Sequence, residues 1–155
     1  MSLRPDQAAV AAQLLPQLSI FSGVSTAQYG ALEACLDFRA MPSGKVVILD
    51  QEISKTLYFL AKGSVGIWRR VNNQKDRVAL LKAPDFFGEV SMFSDSPASA
   101  LVKTEEDSQF FMLSREKFDA LVQNDASFGD QIHRNIETLK SQRPRIQKPV
   151  PENPA

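Results

Sequence analysis

The stretch Asp85-Phe86-Phe87-Gly88-Glu89-Val90-Ser91-Met92-Phe93-Ser94-Asp95-Ser96-Pro97-Ala98-Ser99-Ala100-Leu101-Val102-Lys103-Thr104 decides how this chain is read. It starts and finishes in apolar, β-prone runs, and the insert between them opens on Gly-Glu and closes on Pro-x-Ser-Ala. Val90 to Phe93 is long enough for one helical turn. The leading N–H groups of such a turn have no intrahelical partner and favour an anion. Gly88 lets a ligand approach the backbone closely. Glu89, just ahead of the turn, is a fixed acceptor suited to a sugar hydroxyl. A ligand with a phosphate and a ribose would satisfy both features; a capped surface loop is the plainer reading of the same residues.

Outward from this insert the chain reads as strands. Upstream, the period changes at about Phe38, and the turn Pro42-Ser43-Gly44 leads into Val46-Val47-Ile48-Leu49, a mostly β-branched run. Leu57-Tyr58-Phe59-Leu60 is a second run, ending at Lys62-Gly63, and Val65, Ile67 and Trp68 mark a third. The polar segment Val71 to Asp76 reads as a turn, from which Val78, Leu80 and Leu81 return as a hairpin partner. Downstream come Ala100-Leu101-Val102 and Phe110-Phe111-Met112-Leu113. About eight short strands separated by turn chemistry predict a sandwich or barrel-like roll.

Helices flank the strands. Gln7 to Leu15 is alanine-rich and helix-prone, with Pro16 closing it. Ser25 and Gln28 have the spacing of a capping box, ahead of the apolar stripe Tyr29, Leu32, Cys35 and Leu36. Ser114 is placed to N-cap a helix carrying Phe118, Leu121 and Val122. Phe128, Ile132, Ile136 and Leu139 then form one narrow stripe on a last helix, suited either to packing on the chain's own roll or to joining two copies as a homodimer. Beyond Arg143, Pro144, Pro149, Pro151 and Pro154 exclude helix, so an extended or disordered tail is expected over 144–155, after a domain over 1–143.

Composition excludes several function classes. The chain has 155 residues, enough for one domain with its own core. Its 18 Lys and Arg cancel 18 Asp and Glu, so it lacks the basic footprint of a nucleic-acid binder or of a protein held on an anionic membrane. With one histidine, His133, and one cysteine, Cys35, no histidine-rich metal site and no intramolecular disulfide can form. His133 reads as a solvated helix position and Cys35 as a small buried residue. No Gly-rich nucleotide loop is present. These residues predict no catalytic group, no metal, no cofactor and no enzyme. No apolar run reaches the length of a membrane helix and the start is too polar for a signal peptide, so a cytoplasmic location is the expectation.

The chain resembles the cyclic nucleotide-binding domain of catabolite activator proteins, protein kinase A regulatory subunits and cyclic nucleotide-gated channels. The resemblance runs from about Leu15 to Leu139. It is carried by Leu18-Ser19-Ile20-Phe21 before Gly23, Pro42-Ser43-Gly44, Leu57 to Leu60 leading to Gly63, Phe86 to Met92, and Pro97 to Val102. It implies an α+β, mostly β fold: an eight-stranded, jelly-roll-like double-stranded β-helix cradle with flanking N- and C-terminal helices. It also implies a phosphate-binding cassette, in which Gly88 takes the glycine position and Glu89 the glutamate that bonds the ribose 2′-hydroxyl. The short helix and the Ser99-Ala100 end would offer backbone N–H groups to the cyclic phosphate of cAMP or cGMP. The ligand-binding residues implied are Phe87, Gly88, Glu89, Val90, Ser91, Ala98, Ser99 and Ala100.

One departure stands out. The family cassette ends Pro-Arg-(Ser/Thr/Ala)-Ala, its arginine pairing with the phosphate, whereas this chain has Pro97-Ala98-Ser99-Ala100. A charge-assisted contact is worth ~1.5–3 kcal/mol, so weak cyclic nucleotide binding is expected. Lys82 and Lys103 flank the site, but Lys103 alternates with Val102 and should face outward. Gln51-Glu52 is a second, milder departure, standing where many members have a turn glycine. The expected function is a stand-alone regulatory or sensory module; the alternative is a ligand-free scaffold signalling to a protein partner. With about a dozen residues after the last helix, a DNA-reading module is not expected.

Overall fold

The structure, a computed structural model, describes residues 3–94, 97, 98 and 100–142. Eight strands form two four-stranded antiparallel sheets. The first has the order β1-β8-β3-β6, built from Asp37–Met41 (β1), Ser108–Ser114 (β8), Thr56–Lys62 (β3) and Asp85–Phe87 (β6). The second has the order β2-β7-β4-β5, built from Val46–Ile48 (β2), Leu101–Thr104 (β7), Ser64–Val71 (β4) and Gln74–Lys82 (β5). The expected mostly-β roll with flanking helices is present.

Adjacent phenylalanines show how strand period divides the core. Successive side chains on a strand point to opposite faces. Phe86 and Phe111 therefore join the helix-side cluster, together with Leu57, Phe59 and Leu113. Their neighbours Phe87 and Phe110, with Leu60, turn the other way and meet Ile48, Val65, Ile67, Leu81 and Val102 of the second sheet. The first sheet is thus covered on both faces, by helices on one side and by the roll interior on the other.

The helices are Pro5–Leu14 (α1), Thr26–Glu33 (α2), Glu89–Ser94 (α3), Arg115–Asn124 (α4) and Ala126–Gln142 (α5). Both expected caps are made. Ser25 Oγ accepts from the Gln28 N–H at 3.2 Å while Gln28 accepts from the Ser25 N–H at 2.9 Å, and Ser114 Oγ accepts from the Lys117 N–H at 3.2 Å. Phe128, Ile132, Ile136 and Leu139 are buried in the same cluster as Ile20, Phe21 and Phe118, so the stripe packs on the chain's own domain. The Asn135 side-chain amide ties α5 down by donating to the carbonyls of Ile20 and Ser22, each at 2.8 Å.

Several local expectations are corrected. The polar turn expected over residues 71–76 is only Asn72-Asn73, at φ of 52° and 67°, and β4 and β5 pair out to Val71 and Gln74. Asparagine tolerates the left-handed region, which lets two residues close a hairpin. Cys35 and Leu36 lie beyond the end of α2 rather than on it: Leu36 is still buried in the helix-side cluster, and Cys35 is half-buried against it. Pro16 falls within a 3-10 turn, Leu15–Gln17, that continues from α1. His133 is exposed as expected, its ring edge-on to Phe93 at 5.7 Å. The tail over 144–155 and its boundary at 143 lie outside the described residues.

Candidate functional site

The site is built where β6 ends. Gly88 has φ +94°, in the left-handed region, and a Cβ there would stand 2.7 Å from the Thr56 carbonyl oxygen and 3.4 Å from Tyr58 Cδ2. Only glycine meets both conditions. The chain then turns into α3, whose first residue, Glu89, is a carboxylate only 3% exposed. Phe87, before the glycine, is buried and stacked on Tyr58, with ring centroids 5.0 Å apart and an interplanar angle of 8°. Phe110 meets the Phe87 ring edge-on at 5.8 Å. These rings fix the floor under Gly88. The Arg115 guanidinium donates to the Met92 carbonyl and so holds the body of α3 against the start of α4.

Beyond the insert, Ala98 is bonded at both backbone groups. Its N–H donates to the Glu52 carbonyl at 2.8 Å, and its carbonyl accepts from the Gln51 N–H at 2.9 Å. Gln51 has φ 70°, so the position where a turn glycine was noted as missing does adopt a glycine-like conformation. The Ala98 methyl packs on the cluster inside the roll, as does buried Ala100. Of the remaining residues implied by the resemblance, Val90 and Ser91 lie on α3 and Ser99 lies outside the described residues. The two ends of the cassette therefore border the same roll interior.

Tyr58 and Arg69 were not among the expected site residues. Tyr58 lines the floor, and burial first, then the Glu52 charge, push its hydroxyl above the usual phenol range, with Arg39 pulling the other way. Arg69 and Arg70 are neighbours in sequence, and the structure separates the two: Arg70 is exposed, whereas Arg69 is 4% exposed and follows Val65 and Ile67 on the inward face of β4. Period-two alternation from Val65 was the signal that could have found it. Burial pulls the Arg69 guanidinium below its usual range, while nearby Asp50 raises it. Lys103 points outward as expected, its Nζ 4.6 Å from the centroid of the Trp68 ring, and Lys82 is exposed.

Among the described residues no group of three His, Cys, Asp or Glu could hold a metal, and no helix is long and apolar enough to cross a membrane. A surface pocket of about 250 Å³, lined by residues that include Met41, Lys62 and Asp107, shares no residue with the cassette.

A glycine in a closed cradle, a buried glutamate and a short helix, all inserted between strands of a roll, define a class of ligand-binding domain. The chain belongs to the cyclic nucleotide-binding domain family, whose sequence model matches residues 38–125. It is 28% identical over 104 residues to the cyclic AMP receptor protein of Thermus thermophilus, covering 66% of this chain and 48% of that protein. A cyclic nucleotide-binding domain from Methylobacillus flagellatus has the same fold, with a TM-score of 0.79 at 20% identity over 90% of this chain and 79% of that one. So does the regulatory domain of Toxoplasma gondii protein kinase A, crystallised with cAMP, with a TM-score of 0.73 at 17% identity over 81% of this chain and 48% of that one. The chain spans about half the length of the curated relatives it matches.

Proposed function

We propose that this chain is a regulatory module that takes a cyclic nucleotide, cAMP or cGMP, into the roll between its two sheets, with no catalytic step of its own. The observation that carries the reading is the pairing of Gly88, held open against Thr56, with the buried carboxylate of Glu89 one residue later. In the family cassette these are the residues that cradle the ligand and accept from its ribose hydroxyl. Phe87, Val90, Ser91, Ser99 and Ala100 complete the proposed contact set. A cytoplasmic location fits this role.

Affinity is the property in which this module departs from its relatives. Ala98 brings a methyl to the place where the family pattern has a phosphate-pairing arginine. The loss of one charge-assisted contact corresponds to roughly one to two decades in Kd. Binding weaker than that of an arginine-bearing relative is the expected result.

A thermal-shift series with cAMP and cGMP tests the reading. Ligand that binds only the folded state raises stability by RT ln(1 + [L]/Kd), about 2.7 kcal/mol at a hundredfold excess over Kd. A concentration-dependent rise in melting temperature at millimolar nucleotide is expected. A flat melt with both nucleotides contradicts the proposal and favours the ligand-free scaffold. The same neutral chain should give no gel shift with duplex DNA at sub-micromolar concentration in low salt.

A further inference from the structure

The helix-side cluster covers the first sheet and holds, among the described residues, none from the second. The second sheet turns one face into the roll and leaves the other outward. Register lays out that outward face. Val46 pairs with Lys103, Lys103 with Gly66 and Gly66 with Leu80, one row across all four strands. The next outward row runs Leu101, Trp68, Arg77, and beyond it Arg70 pairs with Lys75. Ile67 pairs with Ala79 but Trp68 with Arg77, so β5 carries Val78 as an extra residue. This bulge sets a cation opposite the ring in place of a valine.

Trp68 is fixed by its neighbours. Its Nε1 donates to Glu105 Oε2 at 2.8 Å, Glu105 Oε1 is 3.9 Å from Arg77 Nη1, and the Lys103 ammonium stands 4.6 Å from the ring centroid. Gly66 makes the room: a Cβ there would collide with the Glu105 carboxylate and stand 2.7 Å from Trp68 Nε1. Leu80 in the same area is 38% exposed. Lys103, Arg77, Arg70 and Lys75 thus surround one aromatic ring, and Glu105 among them is committed to Trp68 and Arg77. Asp76 pairs with Arg69 and alternates to the opposite face, and Glu106 lies at the far end, accepting from the Ser64 hydroxyl at 2.7 Å. A chain of zero net charge therefore carries a basic face with an aromatic centre.

We propose that this face docks an acidic segment of another protein, with an apolar side chain between its carboxylates. The apolar group meets Trp68 and Leu80, and the carboxylates meet Lys103 on one side and the Arg70–Lys75 pair on the other. An ammonium already held over a ring loses little freedom when a carboxylate arrives. Trp and Arg are also the residue types that dominate interface energetics. Charge tells against a second copy, because a two-fold contact would set these cations against one another. Four cations neutralise few phosphates, and exposed Leu80 offers nothing to a phosphate backbone. The inference goes beyond the nucleotide reading and does not rest on it.

Trp68 is the only tryptophan, so its fluorescence reads docking directly. The native chain is titrated with a peptide alternating glutamate and leucine, with its lysine–leucine counterpart, and with a single-stranded oligonucleotide. The acidic peptide is expected to shift the emission saturably, with a Kd of about 10–100 μM that weakens as salt rises, while the other two give no saturable shift. Lys103→Glu should weaken the acidic peptide about tenfold or more. Lys62→Glu, exposed on the first sheet, should change nothing. Arg70→Glu with Lys75→Glu, both exposed, should give the same loss and decides the matter if Lys103→Glu fails to fold. An acidic peptide that leaves the emission unmoved, or that binds these variants as tightly as the native chain, overturns the docking surface. Tighter binding of the oligonucleotide assigns the face to nucleic acid. A native dimer by light scattering that the Arg70→Glu, Lys75→Glu variant dissociates assigns it to a second copy. Either result also overturns the proposal.

Discussion

A Cβ atom on Gly88 would lie 2.7 Å from the carbonyl oxygen of Thr56, so β6 passes the start of β3 with no room for a side chain. Steric conflict with backbone cannot be relieved by a rotamer change, and φ +94° adds strain for any L-residue. Gly88→Ala is therefore expected to destabilise the fold by about 1–3 kcal/mol, a fall of roughly 3–10 °C in melting temperature for a domain of this size. It should also displace Glu89. An unchanged melt would show that the strands separate easily and that the cradle is not rigid.

The roll, its caps and the Gly-Glu pair were legible in the sequence because each rests on local rules. Strand period exposes itself in Leu57 to Leu60 and Phe110 to Leu113, and capping in Ser25 with Gln28. Arg69 was not legible in the same way. Beside Arg70 it looks like half of a basic patch, and its burial in line with Val65 and Ile67 shows that it turns inward. The anchoring of Ala98 by Gln51 and Glu52 was hidden for a related reason, since it joins backbone groups more than forty residues apart and uses no side chain. Cys35 and Leu36 continue the apolar spacing of α2 although the helix has already ended at Glu33, which shows that burial pattern and helix length are separate matters.

Ile132 is 1% exposed, on the α5 stripe that packs against the 3-10 turn Ser19–Phe21 and α4. Ile132→Glu places an unpaired charge in that cluster and is expected to lower stability by at least about 3 kcal/mol. Light scattering should give the same mass as the native chain. A folded variant of half the native mass would mean that the stripe joins two copies.

Asp125 caps α5 and links it to α2. Its Oδ1 accepts from the Ser127 N–H at 3.1 Å and the Ser127 hydroxyl at 2.6 Å, and its Oδ2 accepts from Gln28 Nε2 at 2.9 Å. The Ser127 bond first, then Gln28, hold its carboxyl below the usual range. A depressed carboxylate contributes stability that is fully present above its unfolded pKa of about 4 and is lost as pH falls through the folded value. Asp125→Ala should therefore melt a few degrees below the native chain at neutral pH, and the gap should narrow as the pH drops below about 4. A gap that stays constant across that range would show that the ionised form contributes nothing.

The most direct test of the nucleotide site is calorimetric titration of Ala98→Arg with cAMP beside the native chain. The Ala98 methyl already faces the inner cluster, so a longer side chain there starts out toward the roll. Arginine restores the donor fork of the family pattern, and binding is expected to tighten roughly ten- to hundredfold over the native chain. Glu89→Ala in the same background should abolish most of that gain. A folded Ala98→Arg variant that releases no heat with cAMP at millimolar concentration would contradict the account.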